Sequence, residues 1–158
     1  MIVLDTPLDE GADMAARLNP YLNFRSEAKE ALAFYRSVFG GEATSSTFGE
    51  FGVSQDPSEA EKIMHGQLET PSGFTLMVAD VPNSMDFVPG SNISVSISGG
   101  AEEHAELSGY YDKLVDGGTV VEPLATAPWG DAFGMAVDRF GINWLVNIAG
   151  AQGDAPQG

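Results

Sequence analysis

Polar and apolar residues alternate along Tyr21-Leu22-Asn23-Phe24, the pattern of a strand with one face buried. The period then lengthens. Ala28, Ala31, Leu32, Tyr35, Val38 and Phe39 recur three and four apart, which predicts a helix with one apolar face. Ser26 is placed to cap its start and Gly40-Gly41 to stop it, since glycine enters the left-handed conformation freely. A strand is predicted over 42–48, followed by a polar loop holding Asp56-Pro57-Ser58. Two further strands, over 63–68 and 74–79, turn around Pro71-Ser72-Gly73.

The second half repeats this order. Asn92-Ile93-Ser94-Val95-Ser96-Ile97 alternates cleanly, with β-branched residues on one face. A helix over 101–115 carries Leu107, Tyr110, Tyr111, Leu114 and Val115 and ends at a second glycine pair, Gly117-Gly118. Strands over 119–124, 133–137 and 143–148 complete the pattern. The glycine pairs lie about half the chain apart, as an internal duplication requires. The predicted fold class is α+β: two βαβββ modules, over 18–81 and 90–149, in one domain spanning 18–149. Residues 1–17 read as an N-terminal extension and 150–158 as a flexible tail.

Composition narrows the function classes. At 158 residues the chain is long enough for one core and short for two domains. The absence of cysteine removes disulfides, thiolate ligands and a cysteine nucleophile. A net charge of −16 opposes contact with a phosphate backbone, so nucleic acid is not an expected partner. No run reaches the ~18 apolar residues that cross a bilayer, and the start lacks a signal-like pattern. The expected location is the cytoplasm, without membrane contact.

Several groups of residues, taken in order, carry a family resemblance. They are Pro20-Tyr21-Leu22-Asn23-Phe24, then Glu30-Ala31-Leu32-Ala33-Phe34-Tyr35 with Val38-Phe39-Gly40-Gly41, then Met64-His65. Pro128-Trp129-Gly130 follows, and Asp138-Arg139-Phe140-Gly141 with Trp144 and Asn147 closes the set. Together, over 20–148, they resemble the PhnB-like branch of the vicinal oxygen chelate (glyoxalase and bleomycin-resistance) superfamily. The resemblance implies eight strands curled into a cup with helices outside, a ligand or metal inside, and subunits paired as homodimers.

In metal-dependent members of that superfamily, His, Gln or Glu side chains on the first, fourth, fifth and eighth strands hold a divalent ion that polarises substrate oxygens. The matching positions here are Pro20 or Tyr21, Met77, Asn92 and Leu145. A divalent ion needs several charged or imidazole donors to offset its dehydration, and these residues do not supply them. Neither a metal nor another cofactor is expected.

Alternation assigns what remains in the cup. Asn92, Ser94 and Ser96 are expected to face the cavity and Ile93, Val95 and Ile97 the helices. His65 and Gln67 separate in the same way from Met64 and Leu68. Tyr21, Asn23, Asn143 and Asn147 are candidates to join the cavity wall, with Met77 and Leu145 as an apolar floor and Trp129 at the lip. The ligand-binding set is therefore Tyr21, Asn23, His65, Gln67, Met77, Asn92, Ser94, Trp129, Leu145 and Asn147. His65 is the one candidate for catalysis, as a general base, with a wall histidine bonded to a backbone carbonyl as its structural alternative. Asp131 is a candidate carboxylate at the mouth, whereas Asp138 to Gly141 reads as a turn held by the Asp138 side chain.

Two functions fit this set. One is a metal-independent protein that binds a small organic molecule in a dimeric cup. The other is a glyoxalase-like enzyme, of lyase, isomerase or dioxygenase type, acting on a small oxygenated substrate. Names in this branch imply methyltransferase activity, yet no glycine-rich nucleotide loop follows a strand.

Overall fold

The computed structural model describes residues 15–52 and 56–150; apart from residues 15–17 and 150, the expected extension and tail lie outside them. The first module runs β1 (Tyr21–Phe24), α1 (Ala28–Phe39), β2 (Glu42–Thr47), a short helix α2 (Phe48–Phe51), β3 (Ile63–Glu69) and β4 (Thr75–Asp80). The second runs β5 (Val95–Gly99), α3 (His104–Val115), β6 (Thr119–Thr126), β7 (Ala132–Val137) and β8 (Asn143–Ile148). The sheet orders match: β1-β4-β3-β2 and β5-β8-β7-β6, with the first pair of each parallel and the rest antiparallel. Among the described residues no helix is long and apolar enough to cross a membrane.

The apolar face of α1 is buried as its periodicity requires, and Gly40 ends the helix with φ 76° and its N–H on Arg36 O at 2.7 Å. Gly41 is compulsory for a different reason. A Cβ there would stand 2.0 Å from Glu69 O, and one at Gly118 would stand 2.3 Å from Val137 O. The start of α1 departs from the expectation at Ser26. Its N-cap is Glu27, without a side-chain cap bond, and the Ala28 N–H donates instead to Asp80 Oδ1 at 2.9 Å. The other oxygen of Asp80 accepts from Ile63 N at 2.9 Å. One buried carboxylate thus caps α1, where the helix dipole favours negative charge, and ties β3 to β4.

Within the chain the eight strands form two sheets, each half of the expected cup, and helix and ring packing join them rather than a ladder. One core cluster spans both modules. The Phe39 ring lies 4.8 Å from Tyr110 and 5.6 Å from Trp144, and Tyr35 lies 5.7 Å from Trp144. The Tyr35 hydroxyl donates to Asp138 Oδ2 at 2.6 Å, and Trp144 Nε1 donates to the same oxygen at 2.8 Å. Burial and the Asp138 charge push the Tyr35 phenol well above its ordinary pKa.

The fifth strand starts at Val95, later than the alternation predicts. Asn92, Ile93 and Ser94 belong to the linker before it, and Ile93 is 77% exposed instead of packing under a helix. The alternation of 92–97 is real, but no neighbouring strand pairs with its first three residues.

Candidate functional site

The face of the first sheet turned away from α1 gathers half of the candidate residues. Tyr21, Met77, Gln67 and Thr44 lie opposite one another in successive strands and so share a face. Ser46 pairs with His65 and Asn23 with Ala79 in the next row. Side-chain hydrogen bonds run along this face. Tyr21 Oη lies 3.4 Å from His65 Nδ1, His65 Nε2 lies 3.4 Å from Gln67 Oε1, and Gln67 Nε2 donates to Glu69 Oε2. His65 is therefore held by two side chains, with no backbone carbonyl on either ring nitrogen among the described residues. A histidine between a phenol and an amide can donate or accept along the row, depending on its tautomer.

The corresponding face of the second sheet carries Ser96, Leu145 and Met135 in one row and Ser98, Asn147 and Phe133 in the next. Asn147 Nδ2 donates to Asp131 Oδ2 at 3.1 Å, and the other oxygen of Asp131 accepts from Gly150 N at 3.1 Å. Asp131 is 5% exposed, so it latches the end of β8 and is not a carboxylate at the mouth. Trp129 is 60% exposed and packs edge-on against Phe133 at 6.0 Å.

The structure thus brings Tyr21, Asn23, His65, Gln67 and Met77 together on one face, and Leu145 and Asn147 on another, with Trp129 beside Phe133. No hydrogen bond or ring contact joins the two faces among the described residues. Asn92 lies elsewhere, in a slot of about 440 Å³ between β1 and the linker that it shares with Tyr21, Asn23 and Asn143. Ser94 is exposed just ahead of β5. The slot also takes in Phe87 from the linker, which sequence reasoning missed because nothing periodic marks residues 81–91.

The residues do not fit a divalent metal. His65 is the one imidazole on its face, its immediate neighbours are a phenol, an amide and a thioether, the single carboxylate of the row, Glu69, is taken by Gln67, and Pro20, Met77, Asn92 and Leu145 add no charged donor. Among the described residues no group of three or more His, Asp or Glu side chains could hold a cation. Nor do they fit a nucleotide-type methyl donor. The one Gly-Gly step between a strand and a helix, Gly99-Gly100, is followed by Glu102 and Glu103, and Glu103 Oε1 already accepts from Gly100 N at 2.7 Å.

Residues 16–147 match the family described as 3-demethylubiquinone-9 3-methyltransferase. The protein PA1353 from Pseudomonas aeruginosa superposes with a TM-score of 0.70 at 32% identity, covering 85% of this chain and 98% of that one. A Bacillus cereus PhnB protein carrying the same methyltransferase description gives 0.63 at 26% identity, over 85% and 100% of the two chains. A glyoxalase/bleomycin resistance protein/dioxygenase family enzyme from Burkholderia phytofirmans shares the fold, with a TM-score of 0.51 at 13% identity over 81% and 95%.

Proposed function

This chain belongs to the PhnB-like family described as 3-demethylubiquinone-9 3-methyltransferase, and from that premise we propose that it is a metal-independent binder of a small organic molecule. The observation that carries the reading is the row Tyr21, His65 and Gln67 beside Met77: hydrogen-bonding groups on an apolar bed, with no donor set for a cation. The second open face, with Ser96, Leu145 and Asn147, has the same mixture. Two such half-cups per chain would complete each other in a homodimer, the second sheet of one copy closing over the first sheet of its partner. The formal charge disfavours anionic ligands. Methyl transfer has less support than binding, because Glu103 already occupies the amide at the Gly-Gly step.

Elemental mass spectrometry and thermal melting test the metal. The purified protein should carry far less than one divalent ion per chain, and Ni, Zn, Mn or Fe should leave its melting temperature unchanged. Stoichiometric metal with a shift of several degrees overturns the reading, since a ligand bound only to the folded state raises stability by mass action. Light scattering should give twice the 16.6 kDa of one chain, and a monomer at micromolar concentration overturns the shared cup.

A further inference from the structure

We propose that the slot between β1 and the linker binds a planar ring bearing an uncharged carboxamide or a cationic amidinium edge. This rests on the small-molecule reading above and names the ligand class at the β1 end of the site.

The slot's polar wall consists of side-chain amides. Asn23 and Asn92 make no hydrogen bond among the described residues, and Asn143 spends one N–H on Ile93 O at 3.3 Å while keeping its carbonyl oxygen. A carboxamide presents a donor and an acceptor side by side, so its best match is another amide-type edge. An amidinium keeps the planar shape, replaces the acceptor with a second donor that the amide carbonyl oxygens can receive, and adds a charge.

The charges in the lining favour that choice. Among the described residues Glu27 is the one acidic side chain in it, and no lysine or arginine joins it. The nearby cation, Arg25, is committed elsewhere. Its Nη1 donates to Val81 O at 3.4 Å and Pro82 O at 2.9 Å, its Nη2 donates to Met85 O at 3.1 Å, and its guanidinium sits 5.5 Å above the Phe87 ring. A carboxylate ligand would meet acid with no counter-charge, whereas an amidinium would meet Glu27.

The apolar walls favour a flat body. Tyr21 on β1 is 47% exposed, and half-buried Phe87 stands in the linker. Arg25 anchors the linker at Val81, Pro82 and Met85, Lys62 Nζ holds Asn83 Oδ1 at 3.0 Å, and Asn143 holds Ile93. Phe87 therefore hangs between Met85 and Ile93 on a stretch, residues 86–92, that makes no backbone–backbone hydrogen bond among the described residues. A ring entering beside it gains stacking on Phe87, and because both ends of the linker are already anchored only the short stretch between them has to order.

Titration of the full-length, isotope-labelled protein with benzamide, benzamidine and benzoate, followed by NMR, tests the slot. Benzamide and benzamidine should shift the side-chain amide signals of Asn23 and Asn92, and benzoate at equal concentration should not. Phe87→Ala and Asn92→Leu should each weaken benzamide by about tenfold, while Asp112→Asn, at an exposed α3 position outside the slot, changes it less than about twofold. Benzoate binding as tightly as benzamide overturns the proposal. So does silence of the slot asparagines at about 20 mM probe, where even millimolar affinity would saturate. Shifts confined to His65 and Gln67 sink the slot and leave the wider reading standing. A broad compound screen in which nothing raises the melting temperature sinks that wider reading instead.

Discussion

The turn joining β3 to β4 and the turn joining β7 to β8 share one backbone. In each, the first residue pairs N–H and C=O with the fifth or fourth, and the fourth is a glycine at positive φ, 92° at Gly73 and 90° at Gly141. The first side chain differs. Thr70 Oγ1 accepts from Phe74 N at 2.9 Å and stays within its own module. Asp138 accepts from Phe140 N and Ile142 N with one oxygen, and with the other it holds Trp144 and reaches across to Tyr35. The duplication preserved the chain path, which short-range sterics dictate. It let the side chain at one equivalent position become the tie between modules.

That contrast can be broken by substitution. Asp138→Ala should cost about 3–5 kcal/mol, because it strands a buried phenol and a buried indole N–H together with two turn amides. Thr70→Ala should cost about 1 kcal/mol. Urea denaturation measures both, and equal losses would show that the tie contributes nothing beyond the turn.

The glycines after the helices sharpen the comparison. Gly41→Ala puts a Cβ against Glu69 O at a φ of 104° and should cost about 3 kcal/mol; Gly118→Ala meets Val137 O and the Asp138 backbone without a positive φ and should cost about 2 kcal/mol. The reverse order in thermal melts would mean that the modules relax differently.

Alkaline pH gives a smaller effect. The Tyr35 pKa is raised in the folded state, so its contribution is intact below the ordinary phenol value of 10.0 and is lost as pH climbs above it, when only the unfolded chain releases that proton. Stability should fall by about 1.4 kcal/mol per pH unit from this group. Tyr35→Phe should remove about one proton from the slope, leaving the shares of Tyr110 and Tyr111, whose pKa values burial also raises. An unchanged slope would sever Tyr35 from the effect. Smallest of all, His65→Ala and Gln67→Ala should change stability by less than about 0.5 kcal/mol, since both sit half-buried on an open face. A loss above about 1 kcal/mol at either would make that face structural rather than ligand-facing.

The repeated βαβββ order, the apolar face of α1 and the Gly-Gly stops were legible in the sequence because each depends on residues a few positions apart. What was not legible depends on distant partners. The cap of α1 comes from Asp80, far along the chain, so the nearer Ser26 looked the better choice. The late start of β5 depends on where a neighbouring strand ends. The site was partly legible: alternation placed Tyr21, His65, Gln67 and Met77 on one face, while Asp131 turned inward because Asn147 and the Gly150 amide claim it.

The two tryptophans sit in opposite surroundings, which equips the protein with two built-in optical probes. Trp144 is 1% exposed, ringed by Tyr35 and Phe39 and hydrogen-bonded to Asp138. Its fluorescence should be blue-shifted and shielded from acrylamide, changing only when the two modules part. Trp129, 60% exposed beside Phe133, should emit to the red and quench freely. Any molecule or second subunit settling over the open face of the second sheet would dim or shift the red component and leave the blue one untouched. One emission spectrum therefore separates occupancy from unfolding without an added label.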